Sequence, residues 1–204
     1  MDNYQVLLII IGVLLVLGMG FVVFMARVST DRVAGKFRTI ASRAGYDVRK
    51  ISLGFDVELY GKTGDVPFSV TFSDGNQYSP AHLHVTLFVT LPFSMSVKKE
   101  NFYTGILKKT GVMHDIRTGV PEFDNRMCII SDNPEQCRSY LLEAERWKTL
   151  SELYERGWHP SFEKKKICFV KMLKAQNLAV MWVDLINEKE LLDTLDRLAV
   201  MADG

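Results

Sequence analysis

The feature that most constrains this chain is an uninterrupted apolar run near its N-terminus. Residues 6–25 read "VLLIIIGVLLVLGMGFVVFM" and include no charged side chain. Twenty residues of α-helix rise about 30 Å, which is the thickness of the hydrocarbon core of a bilayer. Such a helix is apolar on every face, whereas a helix packed on a soluble core keeps a polar face. We therefore predict that residues 1–26 form a transmembrane anchor.

A cleaved signal peptide is the main alternative for this segment. It would need a basic N-terminal region, a shorter apolar stretch and a cleavage site of small residues. The chain starts with "MDNYQ", which has no Lys or Arg, and no clear A-x-A pattern follows the apolar run. These features favour an uncleaved anchor that the chain keeps.

Positive charge is concentrated on the C-terminal side of the apolar run. Only Asp2 and the terminal amine precede the run, whereas Lys and Arg outnumber acids in the residues that follow. Because basic flanks stay on the cytoplasmic side of a membrane, we predict a single-pass protein with its N-terminus outside and residues 27–204 in the cytoplasm. The three cysteines are an odd number without metal-ligand spacing, which agrees with reduced cytoplasmic thiols.

Residues 27–45 are predicted to form a juxtamembrane amphipathic helix. Apolar residues recur at helical spacing, and Gly45 is a natural end for the helix. This helix either continues the membrane span or lies against the bilayer. Its basic residues are expected to contact anionic lipid headgroups, since each basic side chain near such a surface gains about 1 kcal/mol. These residues are Arg27, Arg32, Lys36, Arg38 and Arg43.

Residues 46–204 are predicted to form a cytoplasmic α+β domain. Alternating segments between 46 and 131 indicate strands, and "GKTGD" at 61–65 indicates a hairpin turn. The longest alternation, "HLHVTLFVTL" at 82–91, places Leu and Val on one face. Because the strands follow each other without long helical crossovers, the sheet should be mostly antiparallel.

Two or three helices are expected to accompany this sheet. Asn133 and Pro134 are start signals for one continuous helix over about 134–156. Asn187 is a predicted N-cap for a C-terminal helix, with Glu190 at the capping-box position. Between these helices, "KKICFVKML" and "LAVMWVD" resemble the two arms of a hairpin.

His82 and His84 are the candidate metal ligands. They lie two residues apart on a predicted strand and therefore share a face, at about 7 Å between Cα atoms. A zinc or iron site needs at least a third ligand, and no acid follows the pair until Glu100. His114 and His159 are further candidates for that ligand. The alternative is two polar residues on the wetter face of a sheet.

Other candidate sites have simpler structural interpretations. Asp115, Glu122 and Asp124 lie near basic residues, so the cluster is a candidate for acid–base chemistry, but such clusters usually form salt bridges and turn contacts. The specific structural alternative is that Phe123 is buried while Asp124 caps or bonds the turn backbone. "GKT" lacks the spacing and the following helix of a phosphate-binding loop. The chain has no complete catalytic motif and no nucleic-acid signature, and its net charge is +1.

The segments "LYGKTGDVPFSVTF" and "RTGVPEFDNRMCIISDNPE" resemble a group of uncharacterised bacterial membrane-anchored proteins that carry a TG-x-x-x-FD motif. The matching positions are Thr118, Gly119, Phe123, Asp124, Met127 and Ile129. Met127 departs from the motif, where an aromatic residue is commoner. The resemblance implies a bacterial inner-membrane setting and an antiparallel domain, and it brings no catalytic residues.

Three functional hypotheses follow. The first is a non-catalytic membrane-anchored domain that binds a protein partner or scaffolds a membrane complex and needs no cofactor. The second is a metal-dependent, membrane-tethered enzyme that uses His82 and His84. The third is a small subunit of a larger integral complex, whose span packs against other spans. The anchor, its basic flank and the lack of a complete catalytic set favour the first.

Overall fold

The computed structural model describes residues 3–51, 56–73, 80–100, 115–173 and 185–202. The helices are α1 (Asn3–Ala44), α2 (Pro121–Asp124), α3 (Pro134–Leu142), α4 (Arg146–Glu155) and α5 (Glu188–Ala202). The strands are β1 (Asp47–Ile51), β2 (Asp56–Thr63), β3 (Val66–Ser73), β4 (Ala81–Leu87), β5 (Met95–Lys99), β6 (Met127–Ser131), β7 (Trp158–Glu163) and β8 (Lys166–Leu173). The predicted α+β class is confirmed.

Helix α1 joins the apolar run to the domain without a linker. It is continuous over 42 residues, so the segment 27–45 continues the first helix and does not form a separate one. The helix is long and apolar enough to cross a membrane, and the described side chains of its apolar part are exposed. Beyond the run, the apolar face of α1 is buried in the domain core through Val33, Ala34, Phe37, Ile40 and Ala41.

The eight strands form one antiparallel sheet in the order β1-β2-β3-β4-β8-β7-β5-β6. The predicted hairpin joins β2 to β3 through Gly64 and Asp65, and Gly64 adopts the positive φ of +59° that such a turn favours. The "GKT" residues end a strand and enter this turn, so they lie in no phosphate-binding loop.

Strand β8 has different neighbours from those predicted. It forms a hairpin with β7, which precedes it, and its other edge pairs with β4. The predicted partner "LAVMWVD" lies outside the described residues. Strand β7 was not predicted, because Pro160 interrupts its alternating pattern. On the β5 side, only Phe162 and Ser161 of β7 are paired. Pro160, which has no N–H to donate, therefore faces no paired residue of β5.

Strand β4 is shorter than predicted and ends at Leu87. Both neighbouring ladders end at the same level, because Leu87 pairs with Phe68 on β3 and with Ile167 on β8. The alternation was correct within the strand. Ala81, Leu83, Val85 and Leu87 are buried, and the residues between them are half-buried.

The prediction of one helix over 134–156 was wrong. The chain forms α3 and α4, separated by a short 3₁₀ turn in which Ala144 and Glu145 have φ of 48° and 53°. Left-handed conformations of this kind cost energy in residues other than glycine. Arg146 follows them, and its buried guanidinium bonds the carbonyl oxygens of Tyr140 and Val200. These tertiary bonds offset the cost of the break.

The start of α5 is as predicted. The side chain of Asn187 accepts a hydrogen bond from the backbone N–H of Glu190 at 3.1 Å. The Glu190 carboxylate pairs with Lys171 on β8. Lys171 lies opposite the buried Leu83, so α5 is on the core face of the sheet. Thr63 on β2 also bonds α5, through the Leu195 carbonyl oxygen at 3.1 Å.

Candidate functional site: the open sheet face and a membrane-proximal cleft

One face of the central sheet is buried, and the other is accessible. Paired residues of an antiparallel sheet share a face, so the registers of β3, β4 and β8 assign each side chain to one side. On the accessible side, which we call the open face, every paired residue except the buried Ser69 is half-buried or exposed. The open face comprises Ser69, Thr71, Ser73, His82, His84, Thr86, Cys168, Val170 and Met172.

His82 and His84 lie side by side on this open face. Their ring centroids are 5.9 Å apart, which agrees with the predicted shared face. Within the described residues, no His, Cys, Asp or Glu places a third ligand atom within 4.8 Å of ring nitrogens from both histidines. His114 lies outside the described residues. The metal site therefore stays a prediction that rests on two ligands.

His159 is on the same side of the sheet but two strands away from His84. Both residues pair with Val170, one from β7 and one from β4. Neighbouring strands are about 4.8 Å apart, so this pairing separates the two backbones by roughly 10 Å. The His159 ring instead packs edge-on against Tyr154 at 5.1 Å between centroids.

Partial burial of His84 lowers the pKa of its imidazole, and the neighbouring His82 lowers it further. His84 thus binds a proton more weakly in the folded chain than at its ordinary pKa of 6.5. Its contribution to stability is complete above that value and is lost as the pH falls below it.

We expect the free energy of unfolding to decrease between about pH 7 and pH 5, partly because His84 must be protonated there. A His84→Gln variant should show a smaller decrease in urea unfolding at the two pH values. His159→Gln is the matched control, because His159 is exposed. Equal pH dependence of His84→Gln and the wild type would contradict the assignment.

A cleft of about 570 Å³ extends from the open face to helix α1. Ser29, Thr30 and Val33 of α1 form one wall, and Lys166 lies at the start of β8. The open face contributes a polar wall, and the remaining lining includes both apolar and acidic side chains. The polar wall comprises Thr71, Ser73, His84, Thr86 and Cys168. Within that wall, the Thr86 hydroxyl and the Cys168 thiol are in contact at 3.7 Å.

The cleft lies close to the end of the apolar run. Ser29 and Val33 follow Met25 by four and eight residues in a continuous helix, or about 6 and 12 Å along its axis. If residues 6–25 occupy the hydrocarbon core, this wall of the cleft begins at headgroup level. Sequence periodicity cannot reveal the cleft, because the cleft forms only where α1 approaches β3, β4 and β8.

The basic residues predicted to contact headgroups lie at different distances from the apolar run. Arg27 and Arg32 are exposed within about 11 Å of Met25, whereas Arg38 and Arg43 lie about 20 and 27 Å beyond it. Arg43 forms an ion pair with Glu188 at 2.8 Å. An interfacial region is only about 5–8 Å thick, so an upright helix brings Arg27 closest to headgroups.

Lys36 is half-buried, in contrast to the exposed arginines of this helix. It follows Met25 by eleven residues, or about 17 Å along the axis. Contact between lipid and Lys36, Arg38 or Arg43 therefore requires a strongly tilted helix, and it stays a prediction.

The TG-x-x-x-FD segment forms a closed turn in which Asp124 is the central acceptor. Its buried carboxylate accepts hydrogen bonds from the Thr118 backbone N–H (2.9 Å), the Thr118 hydroxyl (2.8 Å) and the Gly119 N–H (2.9 Å). Phe123 is buried beneath it, and Gly119 has a φ of +89°. The alternative in which Asp124 bonds the turn backbone is therefore confirmed.

Replacing Asp124 with Asn should destabilise the domain by about 1–3 kcal/mol, because an amide offers one acceptor oxygen where the carboxylate uses two. Urea unfolding of the full chain in detergent measures the effect. Glu122→Gln is the matched control, since Glu122 is exposed in the same turn. A loss no larger than that of the control would exclude this role for Asp124.

A second group of polar residues was not anticipated from the sequence. Ligand atoms of Glu100, Asp115 and Cys128 lie within 4.8 Å of one another. The Asp115 carboxylate accepts a hydrogen bond from the Ile129 N–H at 2.8 Å and lies 3.4 Å from the Arg117 guanidinium. These contacts give Asp115 a structural role at the β6 edge.

Comparison with known proteins adds no assignment to this geometry. No protein-family model matches the chain, and no curated protein matches it significantly. The resemblance to bacterial membrane-anchored proteins stays a prediction.

Proposed function

We propose that the chain is a single-span protein of a bacterial inner membrane whose cytoplasmic domain binds a protein partner without catalysing a reaction. The observation that carries this proposal is the open face of the sheet. Antiparallel sheets usually bury one face and leave the other to solvent or to a partner. Here the second face combines polar side chains with exposed Met172 at one end and exposed Phe88 just beyond β4.

Helix α1 supports a scaffolding role. Its buried residues belong to the same core as the sheet, so the domain is attached through a packed helix and not through a flexible linker. A partner on the open face would therefore bind at a restricted height and orientation relative to the membrane. Such preorganisation reduces the entropy lost on binding.

The proposed partner surface can be tested by site-specific photo-crosslinking in the native membrane. A crosslinker at Met172 or Phe88 should capture one defined protein. Leu142 is the matched control, because it is an exposed hydrophobic residue on α3, away from the open face. Equal products from Leu142 and Met172 would contradict a specific surface, and substrate turnover by the purified chain in a hydrolase panel would contradict a non-catalytic role.

The proposed orientation can be tested with the natural cysteines. Cys168 is half-exposed, whereas Cys128 and Cys137 are buried, and burial raises the pKa of the Cys137 thiol to about 11. A membrane-impermeant maleimide should therefore label Cys168 in inverted membrane vesicles and leave intact spheroplasts unlabelled. Cys168→Ser should abolish labelling. Labelling of intact spheroplasts would place the domain outside.

A further inference from the structure

The membrane-proximal cleft has a lining suited to an amphiphile with a polar end. The lining combines the apolar side chains of Val33, Val57 and Phe72 with hydroxyl groups and the His84 imidazole. A volume of about 570 Å³ is within the range of pockets that hold small molecules and cofactors. The mixed lining favours a ligand with polar and apolar parts over a purely charged metabolite.

Lys166 supplies a positive charge at this site. Its ammonium group lies 3.4 Å from the Glu163 carboxylate, and both side chains are substantially exposed. Exposed ion pairs of this kind contribute little, so the ammonium can bind a second anion at small cost. Asp56 also lines the cleft, and its carboxylate would repel a ligand that carries several negative charges. A single phosphate diester suits this balance better than a polyphosphate.

We propose that the cleft binds one phosphate-bearing polar group, supplied by the anionic headgroup of a glycerophospholipid such as phosphatidylglycerol, in which no choline ammonium neutralises the phosphate. This inference rests on the membrane anchoring of the proposed function, because α1 then places the Ser29 end of the cleft at headgroup level. Hydroxyl groups and Lys166 bind the phosphate oxygens, and the apolar side chains of the lining contact the glycerol ester region. The lipid would thereby occupy the space between α1 and the open face.

Cys168 provides a reporter of occupancy within the cleft. The full chain is reconstituted in nanodiscs of phosphatidylcholine alone or of equimolar phosphatidylcholine and phosphatidylglycerol, and the rate of maleimide labelling is measured. We expect labelling to be about tenfold slower with phosphatidylglycerol, because the bound headgroup covers the thiol. For each variant, the labelling rate in one membrane is divided by the rate in the other, and these ratios are compared. A change in the intrinsic reactivity of the thiol affects both rates equally and therefore does not alter the ratio.

Lys166→Gln and Lys165→Gln form a matched pair. They remove the same charge from adjacent positions in the β7–β8 hairpin, but only Lys166 lines the cleft. Lys166→Gln should bring the ratio of rates close to one, and Lys165→Gln should keep it near tenfold. Protection that survives in Lys166→Gln would show a general surface effect and overturn the proposal. Equal rates in both membranes for the wild type would overturn it as well.

The source of the phosphate is tested in the same assay. Glycerol 3-phosphate and inorganic phosphate are added to nanodiscs of phosphatidylcholine alone. Protection by these soluble probes at low concentration, without protection by phosphatidylglycerol, would reject a lipid and assign a soluble phosphate ester. Reconstitution itself reports on the anchor: failure of the chain to float with lipid vesicles would refute the proposed function, whereas flotation without protection refutes only this inference.

Discussion

Replacing Arg146 with Ala is expected to destabilise the chain by about 3–5 kcal/mol, because it removes a fully buried guanidinium from several acceptors. The Nε–H donates to the Val200 carbonyl oxygen at 3.0 Å, and Nη1 donates to the Tyr140 carbonyl at 3.1 Å and the Glu143 carboxylate at 2.8 Å. The guanidinium also lies 4.4 Å from the centre of the Tyr140 ring. Alanine would remove the donor from each of these acceptors and open a cavity.

Urea unfolding of the full chain in a mild detergent, followed by tryptophan fluorescence to which the buried Trp158 contributes, measures this loss. Lys148→Ala is the control, because Lys148 is exposed on the same helix and its ammonium lies 3.9 Å from the Glu145 carboxylate. It should change stability by less than about 0.5 kcal/mol. Arg146→Lys should recover only part of the loss, since one ammonium group cannot reach all the acceptors. A loss below about 1 kcal/mol for Arg146→Ala would refute its role in joining α3, α4 and α5.

Replacing Phe37 with Ala should cost about 3–5 kcal/mol, because its side chain is completely buried in the domain core. Phe37 lies on α1, in the segment that sequence alone leaves free to contact the bilayer. A large loss of stability would demonstrate that this part of α1 packs against the sheet. The same urea unfolding experiment applies.

Two controls on α1 separate burial from helix formation. Arg38→Ala changes the adjacent exposed residue, and Leu14→Ala shortens an exposed side chain within the apolar run. Both substitutions keep good helix formation and should have effects below about 1 kcal/mol on domain unfolding. If Phe37→Ala behaved like these controls, residues 27–44 would not be part of the core.

Phe37 and Arg146 hold separate helices to the rest of the domain. Phe37 connects α1 to the sheet, and Arg146 connects the break between α3 and α4 to the end of α5. Both contacts stabilise the domain on which the proposed partner would bind. Substitutions at these sites should therefore affect partner binding indirectly, through stability, whereas a substitution at Met172 should affect it directly.

Local patterns predicted much of the fold. The alternation in β4 correctly assigns Leu83 and His84 to opposite faces, because side chains in a strand point alternately to its two sides. The cap at Asn187 was identified because its hydrogen bond joins residues three apart in the chain. The shared face of His82 and His84 followed from the same alternation.

Non-local contacts account for what the patterns missed. Strand β7 contains Pro160, and its pairing with β8 explains why the chain is extended there. The break at Ala144 depends on acceptors such as Val200 that are far away in the sequence. No local signal predicts that Ser29 and Cys168 line one cleft, since only the packing of α1 on the sheet brings them together.

The sequence by itself determined the long apolar helix, the α+β class and the faces of the regular elements, because these depend on charge, hydrophobicity and period. The tertiary structure decided the strand order, the break before Arg146, the structural role of Asp124 and the cleft beside α1. Each of these depends on contacts between distant segments, where burial and hydrogen bonding outweigh local preference.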